Sequence, residues 1–179
     1  MKDAVAAEED KPRTNAELRE EAVRRMLETA ITMIAEGGVG KLSLVDVGRR
    51  AGYSHSLPNY YFKSKSRLLV DVYDFIIRRA RGRISAFAKA NTPHRIRPGL
   101  QNVLATVQAY LRLSEVDLTT AKAMNAIVSE GVSSMPDVLP AVRAQNRLLQ
   151  DFFEAEIRQG LARGEIDPDL DVEALALMI

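Results

Sequence analysis

The chain has 179 residues, 46% hydrophobic and 27% charged, a make-up that suits a globular protein with length for one or two small domains. It has no cysteine and two histidines, His55 and His94, far apart in sequence, which excludes disulfide frameworks and thiolate metal sites and leaves little material for a histidine-based centre; no cofactor is expected. The net charge of +1 divides unevenly: residues 1–10 carry one base and four acids, residues 11–83 fifteen bases against eight acids, and residues 84–179 nine against twelve, so a polyanionic partner is expected for the basic N-terminal part.

Residues 1–13 are polar and read as a flexible extension. The first ten lack the apolar stretch of a secretory signal, and no run approaches the roughly 20 apolar residues of a membrane span; a cytoplasmic protein with no membrane partner is expected. Thr14-Asn15-Ala16-Glu17 has the form of a capping box. An amphipathic helix follows, with Leu18, Ala22, Met26, Ala30 and Ile34 at helical spacing, thickened by Val23, Leu27 and Ile31. Glu20 to Arg24 and Glu21 to Arg25 are spaced as i,i+4 pairs on its wet face, and Gly37-Gly38 ends it. Gly37-Gly38-Val39-Gly40-Lys41 has the look of a phosphate loop but fails the spacing: Ala35 and Leu42 stand where that motif needs a glycine and a Ser or Thr.

Ser43-Leu44-Val45-Asp46 is a second helix-start signature, opening a short helix over 44–51 that ends at Gly52. Ser54 is expected to cap another short helix reaching Tyr61-Phe62. Ser64 is expected to cap a longer one over about 65–90, with Leu68, Leu69, Val72, Tyr73, Phe75, Ile76, Ile84 and Phe87 apolar and Asn91-Thr92-Pro93 as its break. Helices are expected over 98–114 and 117–133. Met135-Pro136 and Leu139-Pro140 mark a turn and a further helix start, with that helix running to about Arg163 and stopping at Gly164. Asp167-Pro168-Asp169-Leu170-Asp171 is a turn, and a last helix begins near Asp171. No segment alternates as a strand, so the fold class is all-α. Leu177-Met178-Ile179 lies in an apolar run with no capping signal, and the last helix is expected to be incomplete there.

Residues 43–62 are the informative stretch. Two short helices joined by a tight glycine turn form a helix-turn-helix. Its second helix is of a size to lie in a DNA major groove with its N-terminal residues toward base edges. Arg49, Arg50, Lys63, Lys65 and Arg67 surround it with cations for phosphates, and the helix start near Ser64 offers backbone N–H groups that favour an anion. A hairpin in an ordinary helical bundle has the same pattern, and spacing and charge alone do not separate the two.

Ala51-Gly52-Tyr53-Ser54, followed by Tyr60-Tyr61-Phe62-Lys63-Ser64-Lys65 and Leu68-Leu69, resembles the signature of the tetracycline-repressor (TetR) family of bacterial regulators; the specific match covers about residues 26–70. The resemblance implies a homodimer with an N-terminal three-helix DNA-binding domain (14–64) and a helical regulatory and dimerisation domain (65–179), acting as a ligand-responsive repressor on a near-palindromic operator and not as an enzyme. By position, it implies base reading by His55, Ser56 and Leu57, and DNA contact at the preceding helix start, Ser43, Leu44 and Val45. It places Asn59, Tyr60, Tyr61, Lys63 and Lys65 along the DNA backbone. Asn59 stands where the family usually has a phosphate-binding Tyr, and Lys65 matches its phosphate-holding lysine.

Two departures stand out. Pro58 occupies a position usually held by an aliphatic core residue, and its ring disfavours helical geometry at Leu57, so an irregular first turn is expected. Arg67 replaces the usual Glu of a capping box after Ser64. Tyr73, Phe87, Tyr110, Met124 and Phe152 are core residues first and candidate lining of a small-molecule effector pocket second. Val172, Leu175, Ala176 and Ile179 are candidates for the dimer contact, which the family builds from its last helices. His94, beside Arg95 and Arg97, reads as a solvated loop residue, and Arg78-Arg79-Ala80-Arg81-Gly82-Arg83 as a solvated or inter-domain face too far from Lys65 to share its DNA. The alternative within the class is an activator or a regulator that needs no ligand; more remote are an all-α enzyme, for which no clustered acids, bases or cofactor motif are present, and a structural helical dimer.

Overall fold

The computed structural model describes residues 14–91 and 96–178 and, within them, the side chains of all but 87–91, 113 and 114. Among the described residues there are eight α-helices and no strand: α1 (Asn15–Gly37), α2 (Leu44–Arg50), α3 (Leu57–Phe62), α4 (Lys65–Asn91), α5 (Leu100–Val116), α6 (Leu118–Ser133), α7 (Leu139–Ala162) and α8 (Val172–Met178). Single 3-10 turns precede α2 (Val39–Lys41) and α7 (Pro136–Val138).

Local chemistry sets most of these limits. Thr14 accepts from the N–H of Glu17 while the Glu17 carboxylate takes the N–H of Thr14 at 2.7 Å, the reciprocal box that satisfies two orphan donors of α1. Gly38, at φ 76°, ends that helix. Leu18, expected on the buried stripe, is 50% exposed because it lies in the first turn, beyond the helices that cover the rest. Arg24 pairs with Glu21 and Glu28, not with Glu20 as its spacing suggested.

The main core is one continuous cluster. Met26, Ile31 and Ile34 of α1 meet Leu68, Leu69 and Val72 of α4, and Ala123 and Ile127 of α6. Phe62 of α3 and Val47 of α2 join it, as do Val138 and Val142 at the start of α7. It therefore extends on both sides of residue 64. A second cluster joins α5, α7 and α8 through Val103, Phe153, Ile157 and Ala176. At the α5 start, the N–H groups of Gly99 and Leu100 donate to the carboxylates of Glu156 (2.7 Å) and Glu165 (3.0 Å), satisfying donors of the helix start from far along the chain.

Candidate nucleic-acid interface and effector cavity

Ser43 opens α2: its hydroxyl oxygen accepts from the N–H of Asp46 at 3.1 Å and its hydroxyl pairs with the Asp46 carboxylate. Ser43 is thus a cap in this structure. Leu44 is half-buried against the core and Val45 is exposed. Gly52, at φ 82°, turns the chain after α2.

The start of α3 differs from the expectation. The helix begins at Leu57 and not directly after Ser54; Ser56 occupies the cap position with no side-chain cap bond. Ser54 contributes a turn through its carbonyl, which accepts the N–H of Leu57 at 3.2 Å. Pro58 explains the shift. Placed in the first turn its missing N–H has no cost, whereas a helix starting two residues earlier, directly after Ser54, would need that donor. The proline is buried all the same, because its ring packs on Gly48 of α2, so the position keeps its core role.

This arrangement exposes His55, Ser56 and Asn59 at one edge of α3, and leaves Leu57 half-buried against the core. Tyr60 is 64% exposed, with the Lys63 ammonium 5.2 Å from its ring. Tyr61 is half-buried; it packs edge-on against Tyr60, and the Arg19 guanidinium lies over its ring. Lys65 donates to the carbonyl of Gly40 at 3.3 Å. Of the cations expected to serve phosphates, three are paired with carboxylates within the chain: Arg49 with Asp46, Arg67 with Asp71, and Arg50 in a two-point pair with Glu36. Hydrogen bonding to Arg50 holds the Glu36 carboxyl below the usual carboxylate range. Arg67 keeps half of the cap after Ser64, since its N–H donates to the Ser64 hydroxyl oxygen.

A cleft of about 750 Å³ opens between α4, α5 and α7, a volume in the range of small-molecule sites. Phe152 lines it. Tyr73 and Met124, the other interior candidates, belong to the main core instead, and burial raises the Tyr73 phenol. Tyr110 is half-exposed, and the side chain of Phe87 lies outside the described residues. The signal that finds this cleft is a stripe at helical spacing on each helix: Arg81, Ile84 and Ser85 (i, i+3, i+4) on α4, and Ala105, Ala109 and Arg112 (i, i+4, i+7) on α5. Those stripes mix small, polar and charged residues, so a search for aromatic and Met side chains passes over them. On α8, Val172, Leu175 and Ala176 turn inward to the second core, and Leu177 and Met178 face outward; Ile179 and His94 lie outside the described residues.

The arginine run on α4 ties helices together. Arg83 reaches the Asp117 carboxylate at 2.7 Å, with Arg79 at 3.9 Å, and Arg81 donates to the amide oxygen of Gln145.

An all-α chain with a helix-turn-helix and an exposed polar and cationic edge on its second helix defines a DNA-binding transcriptional regulator. Residues 26–72 match the family model described as bacterial regulatory proteins, tetR family. The HTH-type transcriptional regulator BetI of Cronobacter sakazakii is 28% identical over 146 residues, covering 78% of this chain and 67% of that protein. In solved structures, a Rhodococcus sp. protein assigned to the TetR family of transcriptional regulators superposes with a TM-score of 0.72 at 22% identity, over 89% of this chain and 81% of that one. SmeT, the repressor of the Stenotrophomonas maltophilia efflux pump SmeDEF, superposes at 0.64 with 22% identity, over 87% and 71%; these two likenesses speak for the fold. The chain is thus similar to TetR-family regulators, through the family model over residues 26–72 and in fold along most of its length. No helix among the described residues is long and apolar enough to cross a membrane.

Proposed function

We propose that this regulator is a ligand-responsive repressor, a homodimer that sets its two α3 helices in successive major grooves of a near-palindromic operator and is released by a small molecule bound between α4, α5 and α7. The observation that carries the reading is the exposed edge of α3, where His55 and Ser56 face solvent at the helix start, the Ser56 hydroxyl paired only with that of Ser54, with Tyr60 and Lys63 beside them. His55, Ser56 and Leu57 read base edges; Leu44 and Val45 contribute at the start of α2, with Ser43 holding that start. Asn59, Tyr60, Tyr61, Lys63 and Lys65 follow the backbone. Repression is supported by the likeness to SmeT, and ligand response by the structure of a SmeT–triclosan complex, to which this chain is also similar. The second copy docks on the C-terminal helices, through the outward Leu177 and Met178.

Selection of bound sequences from random duplex DNA, followed by gel shift, tests the reading. The expected result is a near-palindromic consensus with half-sites about 34–36 Å apart. Substitutions at His55, Ser56 and Leu57 are expected to change base preference, with losses of about 1–3 kcal/mol at a discriminating contact. Absence of any sequence preference overturns the reading, and variants that scale all affinities equally remove the base-reading assignment.

A further inference from the structure

The cleft between α4, α5 and α7 has a polarity of its own. Among the described residues, its lining holds two arginines, Arg81 and Arg112, and no Asp or Glu. The side-chain partner of Arg81 is the neutral amide of Gln145, at 2.9 Å, so its charge is not cancelled by a carboxylate. Both arginines are on exposed side chains, within reach of an incoming molecule. The remaining polar lining is neutral, and the rest is apolar, including Ile84, Leu149 and Phe152.

The two cations also share one end of the cleft. α4 and α5 pack against each other across the short connection 92–99, as an antiparallel helical hairpin does. Arg81 stands eleven residues before that connection and Arg112 thirteen after it; at about 1.5 Å per residue the two are nearly level. Gln145 marks the same level on α7. Phe152, seven residues further along α7, lies about 10 Å away toward Ile96. A cationic end and an apolar end thus face one ligand volume, and low-dielectric walls sharpen the positive field at the arginine end.

We propose that the effector is an anionic amphiphile, an acyl or aryl carboxylate, with its carboxylate against Arg81 and Arg112 and its apolar body running toward Phe152 and Ile96. The assignment rests on the cleft being the effector site proposed above. A planar guanidinium matches a carboxylate in charge and in fork geometry, and the field that holds an anion repels a cation of the same shape.

Calorimetry on the full chain would compare decanoate, naphthalene-2-carboxylate, decan-1-ol and decyltrimethylammonium, all below micelle-forming concentrations. At least one carboxylate is expected to bind more tightly than the alcohol, with the ammonium weakest; whichever carboxylate binds better identifies the body as acyl or aryl. Arg81→Gln and Arg112→Gln, with thermal unfolding to verify that they fold, are each expected to cut the preference for carboxylate over decan-1-ol by about tenfold. If the alcohol or the ammonium binds as tightly as the carboxylates, or the variants keep the preference, the anion assignment is overturned and the cleft remains a binding site. A gel shift on the selected DNA runs in parallel. Carboxylate binding with the expected preference that leaves DNA bound overturns the switch proposed above and sustains the anion assignment. No binding in any arm, with DNA binding intact, overturns both.

Discussion

At the link between α3 and α4, Lys63 sits at φ 64° and ψ −38°, and the N–H of Ser64 donates to the carbonyl of Phe62 at 2.7 Å. That is a γ-turn of the strained hand, at the one non-glycine with positive φ among the described residues. Lys63→Gly removes the Cβ that makes the conformation costly. Even after the extra freedom of glycine in the unfolded chain, it is expected to stabilise the fold by about 0.5–1 kcal/mol, while Lys63→Ala, which keeps a Cβ, gives no such gain. Thermal unfolding of the pair measures this, and identical midpoints would show that the turn is relaxed. Lys65 uses one donor on the carbonyl of Gly40, and an ammonium has others to offer a phosphate. Lys65→Ala is expected to weaken binding to every DNA sequence alike and to lower the salt slope by about one; unchanged affinity and slope would remove Lys65 from the interface.

The α2–α3 unit depends on a close approach. A Cβ at Gly48 would lie 2.7 Å from the carbonyl oxygen of Ser54 and 3.0 Å from the ring carbons of Pro58. Since one of these is backbone, Gly48→Ala cannot be absorbed by a side-chain rotation and has to move α3. A cost of about 1–3 kcal/mol is expected, together with a fall in DNA affinity in protein that is still folded; gel shift and denaturant unfolding on one preparation separate the two, and native affinity would show that the pair tolerates the shift. The start of α6 depends on charge instead. Burial alone would raise the Asp117 carboxyl, but hydrogen bonds from Arg83 and from the Thr120 backbone outweigh it and hold the group below its ordinary value. A carboxyl with a depressed folded pKa stabilises the fold above its unfolded pKa, and that contribution is lost as pH falls from about 4 through the folded value. Asp117→Asn, which retains a capping side chain, is therefore expected to lower the unfolding midpoint at pH 7, and the deficit should shrink below about pH 4. A deficit that stays constant from pH 7 to pH 3 would assign Asp117 to capping alone.

At the scale of the whole molecule, the helices of the helix-turn-helix are not a separate bead. α6 lies along α1, and Ile127 is fully buried in the cluster that also holds Met26, Ile34 and Phe62. Packing of this kind is expected to make the parts on either side of residue 64 unfold together. Ile127→Ala, in the regulatory part, is expected to cost about 2–5 kcal/mol and to lower hydrogen-exchange protection in α1 as well as in α6. Loss of protection in α6 with α1 untouched would show that the two parts open independently.

The residues alone determined the helix inventory and most of its limits: the Thr14 box, the Ser43 start, and the stops at Gly38, Gly52 and Gly164 all act within a few residues of the position they govern. The same holds for the disturbance at Pro58, legible as an irregular turn though not as a helix start moved to Leu57, because where a short helix begins depends on what its proline packs against, here Gly48. The exposed edge of α3 proposed to read DNA was legible as a helix-turn-helix because it lies in one contiguous segment. Only the tertiary structure decided which apolar stripe meets which. Tyr73 and Met124 entered the main core while Phe152 faces the cleft; Val172, Leu175 and Ala176 turned inward on α8; and α5 took its cap from Glu156 and Glu165, more than fifty residues downstream. Capping and helical periodicity reach about one turn along the chain, so they are written locally. Burial of apolar area has no direction and is worth much the same per unit of surface whichever partner supplies it, so the choice among partners is made only when all the helices are placed together.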